Sequence, residues 1–202
     1  MARQHEAWAD TIRKEDVRGR HEAGRLAATD RRAALAVARA IRHPWYRCQA
    51  LAEVARELRS RDEQDAVLRE AVDAAFEQTE PNRIVRVACW PLRVVVDLER
   101  SGISVLVRRL LQVIAMEPHG LRRLDGLAAI LGSVMPLPDL RGKVLPAFIG
   151  AAAASSGWRT ERIVACIATS LAAHERAEAL RLLDSRVPNR FEMRARADIG
   201  IA

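Results

Sequence analysis

Pro44-Trp-Tyr-Arg47, Pro81-Asn-Arg-Ile84 and Pro118-His-Gly-Leu121 open three phrases that recur every 37 residues. Proline suits the first position of a helix, where its missing N–H would have no partner anyway. A further 37 residues lead to Ser155, just before Gly157-Trp-Arg-Thr-Glu-Arg162. Pro188-Asn-Arg-Phe-Glu-Met-Arg194 opens a fifth phrase after a shorter step. A period of this size is the mark of stacked helix pairs.

The spacing of apolar residues inside the phrases is helical. Leu51, Val54, Ala55 and Leu58 follow the i, i+3, i+4, i+7 pattern. After the charged break Arg59-Ser-Arg-Asp-Glu63, a second helix shows Val67, Leu68, Ala71, Val72, Ala75 and Phe76. The next unit runs through Val85, Ala88, Leu92 and Val95 to a stop at Ser101-Gly102, where Gly102 fits a helix C-cap. Its second helix carries Leu106, Leu110, Val113 and Ile114. The third unit has Leu124, Leu127 and Leu131, then Val144 and Phe148; the fourth has Ile163, Ile167 and Leu171, then Leu180 and Leu183. Pro91 and Pro146 fall inside this pattern and should kink or split their helices. No segment alternates with the period of a strand.

These readings predict an all-α fold, an α-solenoid of stacked antiparallel helix pairs with a repeat of about 37 residues and roughly eight to ten helices. Residues 1–202 form a single helical-repeat domain in this reading. The first pair spans about 6–43, repeats lie near 44–80, 81–117, 118–154 and 155–187, and a terminal helix covers 188–202. Leu51, Val54, Leu68 and Val72 should be buried between paired helices.

Composition agrees. Half of the residues are apolar and only 4% are aromatic, which excludes a disordered chain and favours helix formers such as Ala, Leu, Arg and Glu. The formal net charge is +7, and all 33 basic residues but Lys14 and Lys143 are arginines. That bias, beside so much alanine, points to a GC-rich genome and lowers the weight of charge as evidence for nucleic acid. The charge is also interrupted, since residues 44–80 carry a net −4. Cys48, Cys89 and Cys166 are odd in number and widely spaced, which makes no disulfide framework; all three read as small buried side chains. The polar start Met1-Ala-Arg-Gln-His-Glu6 is no secretory signal, and the uncharged stretch Val144–Trp158 is too short to span a bilayer. A cytoplasmic location with no membrane partner is the expectation.

The phrase Ala34-Leu-Ala-Val-Ala-Arg-Ala-Ile41, followed by Pro44, Arg47 and Ala50-Leu-Ala-Glu-Val-Ala55, resembles a degenerate repeat of bacterial helical-repeat proteins. It is similar to both the tetratricopeptide-like and the HEAT-like families over most of residues 30–200. The full tetratricopeptide signature is not in register, and the period lies between those of the two families. The resemblance implies a curved solenoid that binds protein or peptide.

Arginine recurs near the start of each first helix, at Arg47, Arg83, Arg86, Arg122, Arg123, Arg159, Arg162, Arg190 and Arg194. A cation in the first turn is unfavourable for the helix dipole. Either the arginines form a basic ladder that grips an acidic peptide or phosphate backbone, with Arg47, Arg83, Arg86, Arg122 and Arg159 as candidate partner contacts, or they tie neighbouring units through their stems and open carbonyls. His5, His21, His43, His119 and His174 offer no pair at metal-ligand spacing. Trp8, Trp45, Trp90 and Trp158 read as packing anchors between helices. The run Arg61-Asp-Glu-Gln-Asp65 reads as a solvated helix start. No catalytic constellation, cofactor motif or metal site is expected. The expected function is a noncatalytic scaffold for protein or peptide; the alternatives are a HEAT-like nucleic-acid binder with a basic face and an enzyme on a helical-repeat fold.

Overall fold

The computed structural model describes residues 12–200, so His5 and Trp8 lie outside the described residues. Within them the chain forms eleven helices and no strand. They are α1 (Lys14–Ala27), α2 (Arg31–Ala40), α3 (Pro44–Glu57), α4 (Arg61–Phe76), α5 (Pro81–Asp97), α6 (Ile103–Ala115), α7 (Gly120–Ser133), α8 (Pro138–Ala153), α9 (Trp158–Ala172), α10 (Arg176–Asp184) and α11 (Arg190–Asp198). The count exceeds the expected range by one, and equals the five pairs and one terminal helix into which the sequence divides.

The helices fall into two compact units, one ending at Ile103 and the other beginning at Ser104. In the first unit α1 packs on α2 and α3 on α4, while α1 also stacks on α3 and α3 on α5. In the second, α7 packs on α8 and α9 on α10, while α7 stacks on α9 and α9 on α11. Within each unit, first helices therefore stack on first helices one repeat apart, which is solenoid packing. The stacked helices begin at Pro44 and Pro81 in the first unit and at Gly120 and Trp158 in the second.

Small residues make the stack close. Ala34, Ala38, Ala50, Ala52, Ala55 and Ala75 are all fully buried. A side chain at Gly24 of α1 would come within 2.7 Å of the Glu53 carboxylate on α3, so α1 lies directly against its neighbour. Larger side chains fill the remaining space, with Leu92 and Val85 in the first unit and Phe148, Leu124 and Leu131 in the second buried to the last ångström. Leu51, Val54 and Leu68 are buried as expected, whereas Val72 is only half-buried, at the edge of the α4 face.

Several local expectations change. Pro44 and Pro81 occupy the first helical position, but Pro118 stays in the loop and α7 starts two residues later. There the buried Glu117 organises the turn: its carboxylate accepts from the His119 N–H at 3.2 Å. Pro91 and Pro146 lie inside α5 and α8 without splitting them. Helix α5 is capped not by Gly102 but by Leu98, with Glu99 in the left-handed conformation at φ 51°. The Glu99 N–H reaches the Val96 carbonyl and the Arg100 N–H reaches the Val95 carbonyl. That paired closure defines a Schellman motif, and Glu99 fills the position usually given to glycine. Cys48 and Cys89 are buried, but Cys166 is exposed on α9.

Asp16 joins two parts of the first unit. It is 5% exposed. One carboxylate oxygen accepts from the Arg13 N–H at 3.2 Å, and the other accepts from the Arg42 and His43 N–H groups at 3.1 Å each. Burial pushes its pKa up, but these backbone hydrogen bonds outweigh burial and hold it below the usual carboxylate value.

Leu51→Ala or Leu68→Ala should cost about 2–5 kcal/mol in denaturant unfolding, and Val72→Ala distinctly less. Because the folded pKa of Asp16 lies below its unfolded value, its contribution is complete above pH ~4 and fades as pH falls through the folded pKa. Asp16→Asn should cost about 1.5–3 kcal/mol at neutral pH and flatten the acid limb of a stability-versus-pH curve.

Candidate binding surface

The side chain of the fourth residue of a helix leans back towards the helix N-terminus. It can therefore reach carbonyls of the preceding turn that have no partner of their own. Four helices use this. Arg47 of α3 donates to the Ile41 and Arg42 carbonyls at 3.2 Å each. Gln64 of α4 donates to the Leu58 carbonyl at 2.7 Å. Arg123 of α7 donates two N–H groups to the Glu117 carbonyl at 2.9 and 2.7 Å. Arg141 of α8 donates to the Met135 carbonyl at 2.5 Å. In each case the accepting carbonyl includes the one six residues back.

The same side chains then reach across the stack. The Arg47 guanidinium also pairs with Glu77, at the end of α4. Arg141, 5% exposed, pairs with Glu175 at 2.5 Å, just before α10. Gln64 accepts from Arg100 at the end of α5. Arg186 closes the pattern from the loop before α11: it donates to the Ala152 and Ser155 carbonyls at 3.0 and 3.3 Å and forks onto Glu161 at 3.2 and 2.5 Å. Arg39–Glu70 and Arg56–Asp97 add exposed pairs between consecutive repeats at 2.6 and 2.8 Å. A planar five-donor group serves two directions at once here, as a lysine ammonium could not.

The arginine ladder is thus divided. Arg47 and Arg123 face inward to loop carbonyls. Arg83 is part-exposed with its Nε 3.7 Å from Glu80, and Arg86, Arg122 and Arg159 are exposed. Arg159 belongs to a cluster at the start of α9. Its guanidinium carbon lies 5.3 Å from the centre of the Trp158 ring, and that of Arg162 lies 5.4 Å away. Trp158 itself is 54% exposed, so it is not the packing anchor its position in the repeat implied; Trp45 and Trp90 are half-buried. Trp90 lies beneath the Arg20 guanidinium at 5.0 Å. The exposed face of α9 continues from Trp158, Arg159 and Arg162 to Cys166 and Ser170.

Arg141, Arg186 and Gln64 carry much of the architecture, and sequence reasoning missed them. Gln64 sits in the charged run Arg61–Asp65 and is buried, where a solvated face was expected. The usable signal was position within the helix, since three of the four side chains that reach back from the fourth position are arginines.

Among the described residues no group of three or more His, Cys, Asp or Glu is placed to hold a metal ion, and no helix is long and apolar enough to cross a membrane. An open groove on the first unit is lined by Arg13, Asp16, Gly19, Val37, Ile41 and Arg42, but the Asp16 carboxylate there is committed to backbone. Comparison with protein-family models, curated proteins and solved structures gives no match.

Removing an inward-facing arginine should destabilise, and removing an outward-facing one should not. Arg141→Ala should cost about 1.5–3 kcal/mol, because charged hydrogen bonds to Met135 and Glu175 are lost. Arg159→Ala should stay within about 0.5 kcal/mol of wild type. Thermal melts of the two variants side by side check the division.

Proposed function

We propose that the chain is a noncatalytic helical-repeat scaffold that holds a protein or peptide partner. The observation that carries this reading is the division of the arginines. Arg47, Arg123, Arg141 and Arg186 turn inward to loop carbonyls, while Arg86, Arg122 and Arg159 are exposed near the starts of first helices, together with an exposed tryptophan. Within each unit, stacked first helices build a repeated surface suited to an extended ligand. The resemblance of most of residues 30–200 to tetratricopeptide-like and HEAT-like repeats agrees with that use. An exposed positive surface favours acidic partners through both encounter rate and selectivity.

Selection of a random displayed peptide library on the immobilised full chain tests the reading. The expected result is enrichment of sequences rich in Asp and Glu, with binding that weakens as salt rises. Arg159→Glu should reduce that binding while leaving the melting temperature unchanged. Failure to enrich any peptide, beside salt-dependent binding of duplex DNA, would replace the scaffold by a nucleic-acid binder.

A further inference from the structure

The start of α9 treats its arginines differently from the arginines that pair between helices. Arg39, Arg47, Arg56, Arg141 and Arg186 each lie against a carboxylate. Among the described residues, no carboxylate lies within ion-pair distance of Arg159 or Arg162; both lie over the Trp158 ring instead. The acid between them in sequence is unavailable, because Glu161 is held by Arg186 at 2.5 Å and by the Asn189 amide at 3.3 Å. Two guanidinium charges therefore share one indole with no counter-charge. The ring's negative face offsets part of their repulsion, and a carboxylate at each would remove the rest.

The indole adds an apolar demand. Trp158 leaves more than half of its surface in water, and tryptophan and arginine are the residues most often found as interface anchors. Other sides of α9 are taken, since the helix packs on α7, α10 and α11. Its open face holds Trp158, Arg159, Arg162, Cys166 and Ser170 and carries two positive charges and no negative one.

We propose that this open face of α9 docks an acidic segment of a protein partner, with carboxylates on Arg159 and Arg162 and an apolar side chain against the Trp158 indole. The proposal rests on the scaffold reading and assigns it a site and a ligand chemistry. A single-stranded nucleic acid fits less well. Bases need aromatic faces in succession, whereas this face offers a single indole and the other described tryptophans, Trp45 and Trp90, are half-buried.

Cys166 supplies a local reporter, since it is the exposed thiol on this face while Cys48 and Cys89 are buried. The probe is a short fluorescein-labelled peptide of glutamates around one leucine and one phenylalanine, titrated into the full chain at low salt by anisotropy. A lysine version of the peptide and labelled oligo-dT run in parallel. The rate at which a disulfide reagent modifies Cys166 is measured with each probe at saturation. The acidic peptide should bind and slow Cys166 modification, and the lysine peptide should do neither. Trp158→Ala and Arg162→Glu should each weaken binding about tenfold or more with unchanged melting. Binding that survives both substitutions and leaves Cys166 unprotected overturns the α9 site while the scaffold reading stands. Library selection that yields binders without acidic residues, beside no binding of this peptide, has the same meaning. Oligo-dT that binds and protects Cys166 as well as the peptide does overturns the choice of an acidic protein segment. No binder from either experiment removes the site and the scaffold reading together.

Discussion

A chain cut into short helices must satisfy many backbone carbonyls that lack a helical partner, and the structure depends on how it does so. Each turn between helices exposes such groups, and leaving them buried without a donor would cost about as much as a lost hydrogen bond. The answer recurs at Arg47, Gln64, Arg123 and Arg141: a side chain one turn into the new helix reaches back and donates to the old turn. The turn is thereby fixed to the helix that follows it. Where the donor is Arg47 or Arg141, its remaining N–H groups also fix that helix to a carboxylate further along the chain. Local closure and longer-range registry come from one residue.

Arginine content here has a physical use as well as a compositional origin. The guanidinium presents donors in a fixed plane and stays charged when buried, so Arg141 and Arg186 can satisfy carbonyls and carboxylates together. Lys14 and Lys143, the two lysines, are both exposed. Electrostatics of this kind is built into the joints, and Arg159 and Arg162 beside Trp158 differ from the joint arginines in exposure and in partner.

Much of the fold was legible from one sequence, because periodicity records which face of a helix is apolar. The stacked pairs, the helix starts at Pro44 and Pro81, and the burial of Leu51, Val54 and Leu68 were all readable in that way. Depth of burial was not. Val72 and Trp158 occupy repeat positions that suggest packing, yet one is half-buried and the other mostly exposed. Cys166 sits among apolar residues on a helix whose buried face is formed by Val164, Ile167, Ala168 and Leu171. The inward arginines were legible as a series but not as joints. Whether a guanidinium is buried depends on a carbonyl six residues back and a carboxylate 30 or 34 residues ahead, a combination that no single periodicity encodes.

The Cys48 thiol donates to the Val87 carbonyl at 3.4 Å, from α3 to α5. Burial pushes its pKa up, and the neighbouring Cys89 pushes it further in the same direction. A thiol kept protonated and enclosed does not react at the rate its chemistry allows; it reacts when the helices around it part. In a chain whose Cys89 is replaced by alanine, the slow phase of thiol labelling is therefore a clock of breathing between α3 and α5. Its rate reads the free energy of that local opening when closing is fast, and the opening rate itself when labelling outpaces closing.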